Sequence, residues 1–374
     1  MLFRSGFDPQ HFSAPLDDFH QAMIERARSL PASMLTTATH DHKRGEDSRA
    51  RLAVLSEKAV WWVEKVDQWH ELTNMLRTDL EDGVAPSPGD ELILYQTLVG
   101  SWPLELAAND AKGLEAYLER LLQWQEKALR EAKLRTSWSS PHSVYENACR
   151  EYLTRLLRGE EALEIRRYIA EAAQSIAVAG ALNGLAQCLL RMTVPGMPDL
   201  YQGCEFWDFT LVDPDNRRPV DFNARVTALD QQQSASELLE NWRDGRIKQH
   251  LVARTLAARK AHPELFAEGD YQALEVAGPC AEQIIAFARR YQNNWLIVII
   301  PRLAAQLLGD QPIPLIPAET WGDTQVILPA ELAAAGNFES LFGSEYLRPE
   351  QGHIAVQEAL AEFPLSCLLS RERT

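Results

Sequence analysis

Two short runs of β-favouring residues, held apart by a long stretch of helical pattern, constrain this chain more than any other feature. The first is Ser33–Thr39 (SMLTTAT), preceded by Pro31 and ending at His40-Asp41. The second is Asp199–Glu205 (DLYQGCE), which follows the helix-breaking Pro195-Gly196-Met197-Pro198. Both read as buried strands with polar residues at their C-terminal ends. Strands joined by a long helical crossover pair in parallel, and folds built from such units carry their chemistry at the C-terminal strand ends. Here those ends hold His40-Asp41 and Gln202 to Glu205. A (β/α)8 barrel needs eight strands and typically about 250 residues. With only two such strands legible, the chain reads as a helical domain with two strands, or as the tail of a barrel whose beginning is absent.

The first ~30 residues are mixed and partly helical. From Arg51 to about Asn147 the pattern is helical, with Leu114, Tyr117, Leu118, Leu121, Ala128 and Leu129 on one face. Ser143-Val144-Tyr145-Glu146 predicts a capping box, in which serine takes an early N–H and glutamate reaches back. Ile169–Leu190, rich in Ala and Gly, predicts one buried helix. Asp213–Asp221 (DPDNRRPVD) reads as a polar loop, and a helical pair follows from about Ala235 to Lys260. After Gly269 the character changes. Gln283–Tyr291 and Trp295–Pro301 are apolar strands around Gln292-Asn293-Asn294, a hairpin signal, with further β-like runs at Thr324–Leu328 and Phe363–Leu369. These make a small antiparallel β domain.

The 374 residues include 46% hydrophobic ones, enough for a packed core. The net charge of −16 repels phosphate backbones and anionic lipid, so neither nucleic acid nor a membrane is expected as partner. The longest strongly apolar stretch, Trp295–Ile300, falls far short of the ~20 residues of a membrane span. Cys149, Cys188, Cys204, Cys280 and Cys367 form no CxxC pair, so reduced thiols and a cytoplasmic location are expected. No leader is expected from Met1 to Gly6. His70, His142 and His353 show no ligand spacing, and no metal is assigned.

Longer strings decide between the two readings. Thr39–Arg51 (THDHKRGEDSRAR) resembles the segment after the seventh barrel strand of the maltooligosyl trehalose synthases, in the α-amylase superfamily. Asp90–Pro103 (DELILYQTLVGSWP) and Lys127–Trp138 (KALREAKLRTSW) are similar to that family's helical insertion. Val194–Asp221 (VPGMPDLYQGCEFWDFTLVDPDNRRPVD) is similar to its eighth strand and the loop beyond. The resemblance runs in order over nearly the whole chain. It implies an α/β fold: the C-terminal portion of a (β/α)8 barrel, its last two strands, with a large helical insertion and a small antiparallel β domain. The implied division is 1–50, seventh strand region; 51–175, insertion; 176–263, eighth strand, sugar-facing loop and following helices; 264–374, β domain.

The implied activity is an intramolecular transglucosylation, which turns the reducing-end α-1,4 linkage of a maltooligosaccharide into α,α-1,1 and needs no cofactor. The superfamily mechanism retains configuration, with a carboxylate nucleophile and a carboxylic acid flanking the bond. Both belong to the fourth and fifth strands, so neither is assigned here and the isolated chain is expected to be inactive. An N-terminal barrel half, made as a separate chain, would be its partner. Asp41 matches the third carboxylate of the family, which stabilises the transition state, and His40 the histidine on the same sugar. At His42 and Cys204 the chain departs from the family, which commonly has Thr.

Each candidate has a plainer structural reading beside it. His40-Asp41 would otherwise be a solvated loop pair. Lys43 and Arg44 either hold the reorienting sugar or are solvated charges at a helix start. Glu46 and Asp47 are expected to pair with Arg49 or Arg51. Asp213 and Arg217 offer the acceptor and forked donor that sugar hydroxyls need, or are turn residues. Tyr201, Gln202 and Glu205 are expected to line the site from a strand end. Trp102, Trp138 and Trp207 either stack on glucose faces or pack in the core. Two other functions remain open: another hydrolase or transglycosidase of the superfamily, and a non-catalytic maltodextrin-binding protein.

Overall fold

The computed structural model describes residues 14–231, 233–343 and 346–370. Helix α1 (Leu16–Ser29) leads to β1 (Met34–Leu35), and the chain then forms α2 (Glu46–Ala53) and α3 (Ala59–Leu72). A hairpin of β2 (Thr78–Leu80) and β3 (Gly83–Ala85) follows. Next come α4 (Pro88–Ser101), α5 (Ala111–Ala132), α6 (Ser143–Arg158), α7 (Leu163–Ser175) and α8 (Ala177–Thr193). Strand β4 (Met197–Pro198) ends this helical region, and α9 (Phe222–Asp230), α10 (Ala235–Glu240), α11 (Arg246–Ala261) and α12 (Pro263–Ala267) precede the β region.

The two strands expected from sequence pair in parallel, Met34 with Met197 and Leu35 with Pro198. They are much shorter than expected. Thr36–Thr39 and Asp199–Glu205 lie outside the ladder, so Tyr201, Gln202 and Glu205 are loop residues. Glycine makes the pairing possible: Gly196 has φ +137°, and a Cβ there would sit 2.6 Å from Leu35.

Local chemistry accounts for some helix starts. Ser87 accepts the Asp90 N–H ahead of α4, with Pro88 at its first position. Asp110 accepts the Gly113 N–H ahead of α5, which buries Leu114, Tyr117, Leu118 and Leu121 as its period requires. Three expectations fail. The capping box at Ser143 is not formed, because Arg130 and Thr136 take the Glu146 carboxylate. The single helix over 169–190 is two helices, α7 and α8, bent by 42°. The β2–β3 hairpin interrupts a stretch read as wholly helical.

Helix α8 organises the core. It packs on α2, α7, α11 and β8 (Asn294–Pro301). Its small residues let α2 approach closely: a Cβ on Gly180 would meet the Arg51 Cα at 2.7 Å, and one on Gly184 the Asp47 Oδ1 at 2.4 Å. The β region is antiparallel, as expected. Its larger sheet runs β11 (Tyr346–Leu347), β10 (Phe338–Ser340), β13 (Ser366–Ser370), β8, β7 (Ile284–Tyr291), β5 (Asp270–Ala273). A second sheet runs β12 (His353–Ala355), β9 (Gln325–Ile327), β6 (Glu275–Ala277). Strands β7 and β8 are buried along most of their length, which explains their continuous apolar runs. Their turn is the pair Gln292-Asn293, with Gln292 at φ +56°; Asn294 is already in the strand.

All five cysteines are buried and unpaired. Among the described residues, no single helix is long and apolar enough to cross a membrane.

Candidate functional site

The chain between β1 and α2 turns back on itself, with the Asp41 N–H donating to Thr39 Oγ1 (3.2 Å). His42 Nδ1 accepts the Thr39 N–H at 3.0 Å. Burial and the nearby Arg49 guanidinium push the His42 pKa below its ordinary value, which suits an imidazole used as acceptor. The loop beyond β4 lies against this turn. Asn216 Nδ2 donates to the backbone carbonyls of His40 (2.8 Å) and Thr39 (3.3 Å). Tyr201 donates its hydroxyl to the Asn216 carbonyl (3.3 Å). The two motif strings are thus neighbours in space, with the His40 and Asp41 side chains exposed beside them.

Helix α5 backs both strings. Glu131 pairs with Lys43 Nζ (2.7 Å), and Lys127 Nζ donates to the Asp213 carbonyl (3.1 Å). Arg120 forks onto Asp215, at 2.9 and 3.0 Å. Burial alone would raise the Asp215 pKa, but the Arg120 hydrogen bond and charge outweigh it and hold the carboxylate below its usual range. Arg217 is exposed and pairs with Asp213 at 2.7 Å. Arg44, largely buried, reaches Thr97 Oγ1 at 3.1 Å.

Beneath the turn lies a charge cluster. Glu46 and Asp47, at the N-terminal end of α2, are both buried. Lys248 of α11, wholly buried, contacts Glu46 Oε1 and Asp47 Oδ2, each at 2.6 Å. Arg191 of α8 adds a bond to Glu46 at 2.7 Å, and Thr37 bridges Glu46 and Arg191. Two carboxylates facing two cations make the cluster neutral. Burial raises the Glu46 carboxyl, yet Lys248 and Arg191 outweigh that and take it down to about 2. Asp47 goes the other way, up to about 6, because burial and the charge of Glu46 outweigh its share of Lys248. Its Oδ2 also accepts the Asp208 N–H (2.6 Å), while Oδ1 has no hydrogen-bond partner.

No family model matches the chain. Two curated sequences from Mycobacterium tuberculosis, provisionally named maltooligosyl trehalose synthase, are 35% identical to it over 332 residues, 85% of this chain and 38% of theirs. The solved maltooligosyltrehalose synthase of Arthrobacter ramosus superimposes with a TM-score of 0.76 at 31% identity, over 98% of this chain and 42% of that one. This chain is related to part of a maltooligosyl trehalose synthase. A further solved structure of that name gives a TM-score of 0.72 at 27% identity, over 98% of this chain and 43% of its own. The chain thus spans about two-fifths of the length of these relatives, from 38% to 43%. The likeness extends to the amylase-type fold, with its helices and small antiparallel sheets.

Within this synthase-like chain, His40, Asp41, Lys43, Tyr201, Asp213 and Arg217 gather around Asn216 and the C-terminal half of α5. Glu205 stands apart, paired with Arg225 at 3.1 Å, and Gln202 is exposed with no contact to the turn. The expected pairing of Glu46 and Asp47 with Arg49 or Arg51 is not formed. Arg51 instead lies 4.0 Å over the Phe209 ring and donates to the Trp102 carbonyl (2.7 Å). Trp102 is a core residue, Trp138 is exposed with Arg130 over its ring, and Trp207 is half-buried. Sequence reasoning misses Lys248 and Arg191, and it reads Asn216 as a local turn residue where its bonds run to Thr39 and His40. A lysine with Leu251 and Val252 three and four residues on, within a buried helix face, is the available signal for the first.

Proposed function

We propose that this chain is the C-terminal part of a maltooligosyl trehalose synthase, inactive alone. In this reading β1 and β4 are the last two strands of the barrel. Residues 51–175 are the insertion, 176–263 carry the eighth strand with its sugar-facing loop and helices, and 264–374 are the β domain. The observation that carries it is the Asn216 bond to the His40 carbonyl, which holds the two synthase-like strings side by side at the ends of parallel strands.

The chemistry follows from that placement. As the donor sugar becomes cationic, the exposed Asp41 carboxylate stabilises it more than the ground state, and His40 donates to a hydroxyl of the same ring. Lys43 and Arg44 hold the released glucose while it turns over to present its anomeric hydroxyl. Tyr201, Asp213 and Arg217 line the approach. The nucleophile and the general acid come from the part of the barrel outside this chain, in the same polypeptide or as a separate N-terminal half. No cofactor takes part.

Reducing-end assays on maltoheptaose test the proposal. The 374-residue chain alone should leave reducing ends unchanged, and any loss of them would overturn its inactivity. The complete protein that carries this segment should convert maltoheptaose to a non-reducing product. Release of free glucose or maltose instead would make it a hydrolase of the superfamily. An immunoblot of source cells shows which protein to assay: a band well above 42.2 kDa marks a single polypeptide, one only at 42.2 kDa a split enzyme or a binding protein.

A further inference from the structure

A groove of about 420 Å³ is lined by Arg218, at the end of the 213–218 loop, and by Arg120 of α5. Its walls come from six segments of this chain: the stretch after α4, helix α5, the 206–210 segment, Arg218, Arg225 of α9 and the turn before α11. Phe206, Trp207 and Phe209 contribute three half-buried rings. Arg120, Arg218, Arg225 and Arg243 stand around them. The Arg225 guanidinium lies 4.6 Å from the Phe206 ring centre.

Each of these guanidiniums touches a carboxylate, although two of them share one. Arg120 and Arg218 share Asp215, each at 2.9 Å; Arg225 has Glu205 at 3.1 Å; Arg243 has Glu105 at 3.8 Å. Asp244 also lines the groove and pairs with Arg246. Most of the charge around the groove is therefore already paired, with one positive charge in excess. The groove presents flat apolar rings bordered by fixed forked donors and carboxylate acceptors. That is the complement of a neutral polyhydroxylated ring, which has C–H groups on its faces and hydroxyls at its rim. The volume lies within the range of small-ligand sites.

Helix α5 joins the groove to the candidate site. Arg120 stands at the groove, Lys127 at Asp213 and Glu131 at Lys43. At 1.5 Å per residue the groove is displaced by roughly 10–16 Å along the helix from the Lys43 end. Glu205 belongs to the groove side, because its partner Arg225 is a groove wall. We propose that this groove holds glucose units of a maltooligosaccharide remote from those at His40 and Asp41, and so sets a preference for longer chains. The proposal rests on the reading of this chain as part of a glucan-converting enzyme.

Calorimetric titration of the 374-residue chain with maltotriose and with maltoheptaose tests it. The wild-type chain should bind maltoheptaose about tenfold more tightly, the worth of one or two further contacts. Arg243→Ala, at an exposed position, and Phe206→Leu should each erase that advantage and leave maltotriose affinity unchanged. Melting curves matching wild type establish that the variants are folded. Absence of saturable maltoheptaose binding, or full maltoheptaose affinity in both folded variants, overturns the groove. Failure of the complete protein to make a non-reducing product overturns the synthase reading alone, since length-dependent binding through the groove would still be measured.

Discussion

Replacing Lys248 by Met removes the one side chain that both buried carboxylates of α2 share. Breaking a buried ion pair from one side costs about 3–5 kcal/mol, because the remaining charge is left uncompensated. Here the two carboxylates respond differently. Glu46 keeps Arg191 at 2.7 Å and loses one charge-assisted hydrogen bond, about 1.5–3 kcal/mol. Asp47 has no other cation in contact, but it can take up a proton. Its pKa already stands at about 6, so at pH 7 protonation limits its further cost to about 1.4 kcal/mol, one unit's worth. The sum is about 3–4 kcal/mol, read from urea unfolding followed by tryptophan fluorescence. The sign of the pH dependence is also fixed. A neutral Asp47 in the folded variant binds a proton that the unfolded chain releases above its ordinary pKa of 3.8. The variant must therefore gain about 1.4 kcal/mol per unit as pH falls from 7 to 6, where wild type gains little. A cost under 1 kcal/mol, or a pH slope equal to wild type, would refute this account of the cluster.

Three further outcomes are expected. Asp47→Asn should remove the contribution of Asp47, a gain in stability as pH falls from about 6 toward 4; the difference between wild-type and variant urea curves from pH 7 to 3 checks it. Arg289→Met should destabilise by about 3 kcal/mol or more in the same assay, because buried Arg289 donates to the carbonyls of Gly269, Thr193 and Phe266, each of which would lose its donor. Asn216→Ala should cost about 1–2 kcal/mol overall yet speed amide exchange at residues 39–43 by tenfold or more, since it frees the turn that carries His40 and Asp41; unchanged exchange there would show that the turn is held otherwise.

What was legible in the sequence is what local pattern encodes. The β7–β8 hairpin announced itself by two apolar runs around a polar turn, and α5 by its period. Both motif loops were recognised from their own residues. The misses share a cause, a tertiary partner that overrode a local preference. Ser143-Glu146 has the spacing of a capping box, but Arg130 and Thr136 hold the glutamate instead. Glu46 and Asp47 have charged neighbours in sequence, but their partner is Lys248, 201 and 202 positions away. The bend between α7 and α8 has no proline or glycine to mark it; Ile176 is buried at the break. Two strands of two residues each end where the ladder partner ends, which no run of β-favouring residues can report.

The same cluster explains why the turn keeps its shape with so little sheet beneath it. The β1–β4 ladder is two residues long on each side, and Met34 and Met197 are 75% and 60% exposed. Such a ladder cannot fix His40 and Asp41. The fixing comes from α8, which receives α2 against Gly180 and Gly184 and meets β8, α7 and α11 on its other sides. Lys248 and Arg191 then hold the first turn of α2 by its two carboxylates, and Asn216 holds the preceding carbonyls. All these partners lie within this chain. The position of the turn that carries His40 and Asp41 is therefore set by contacts made within this chain.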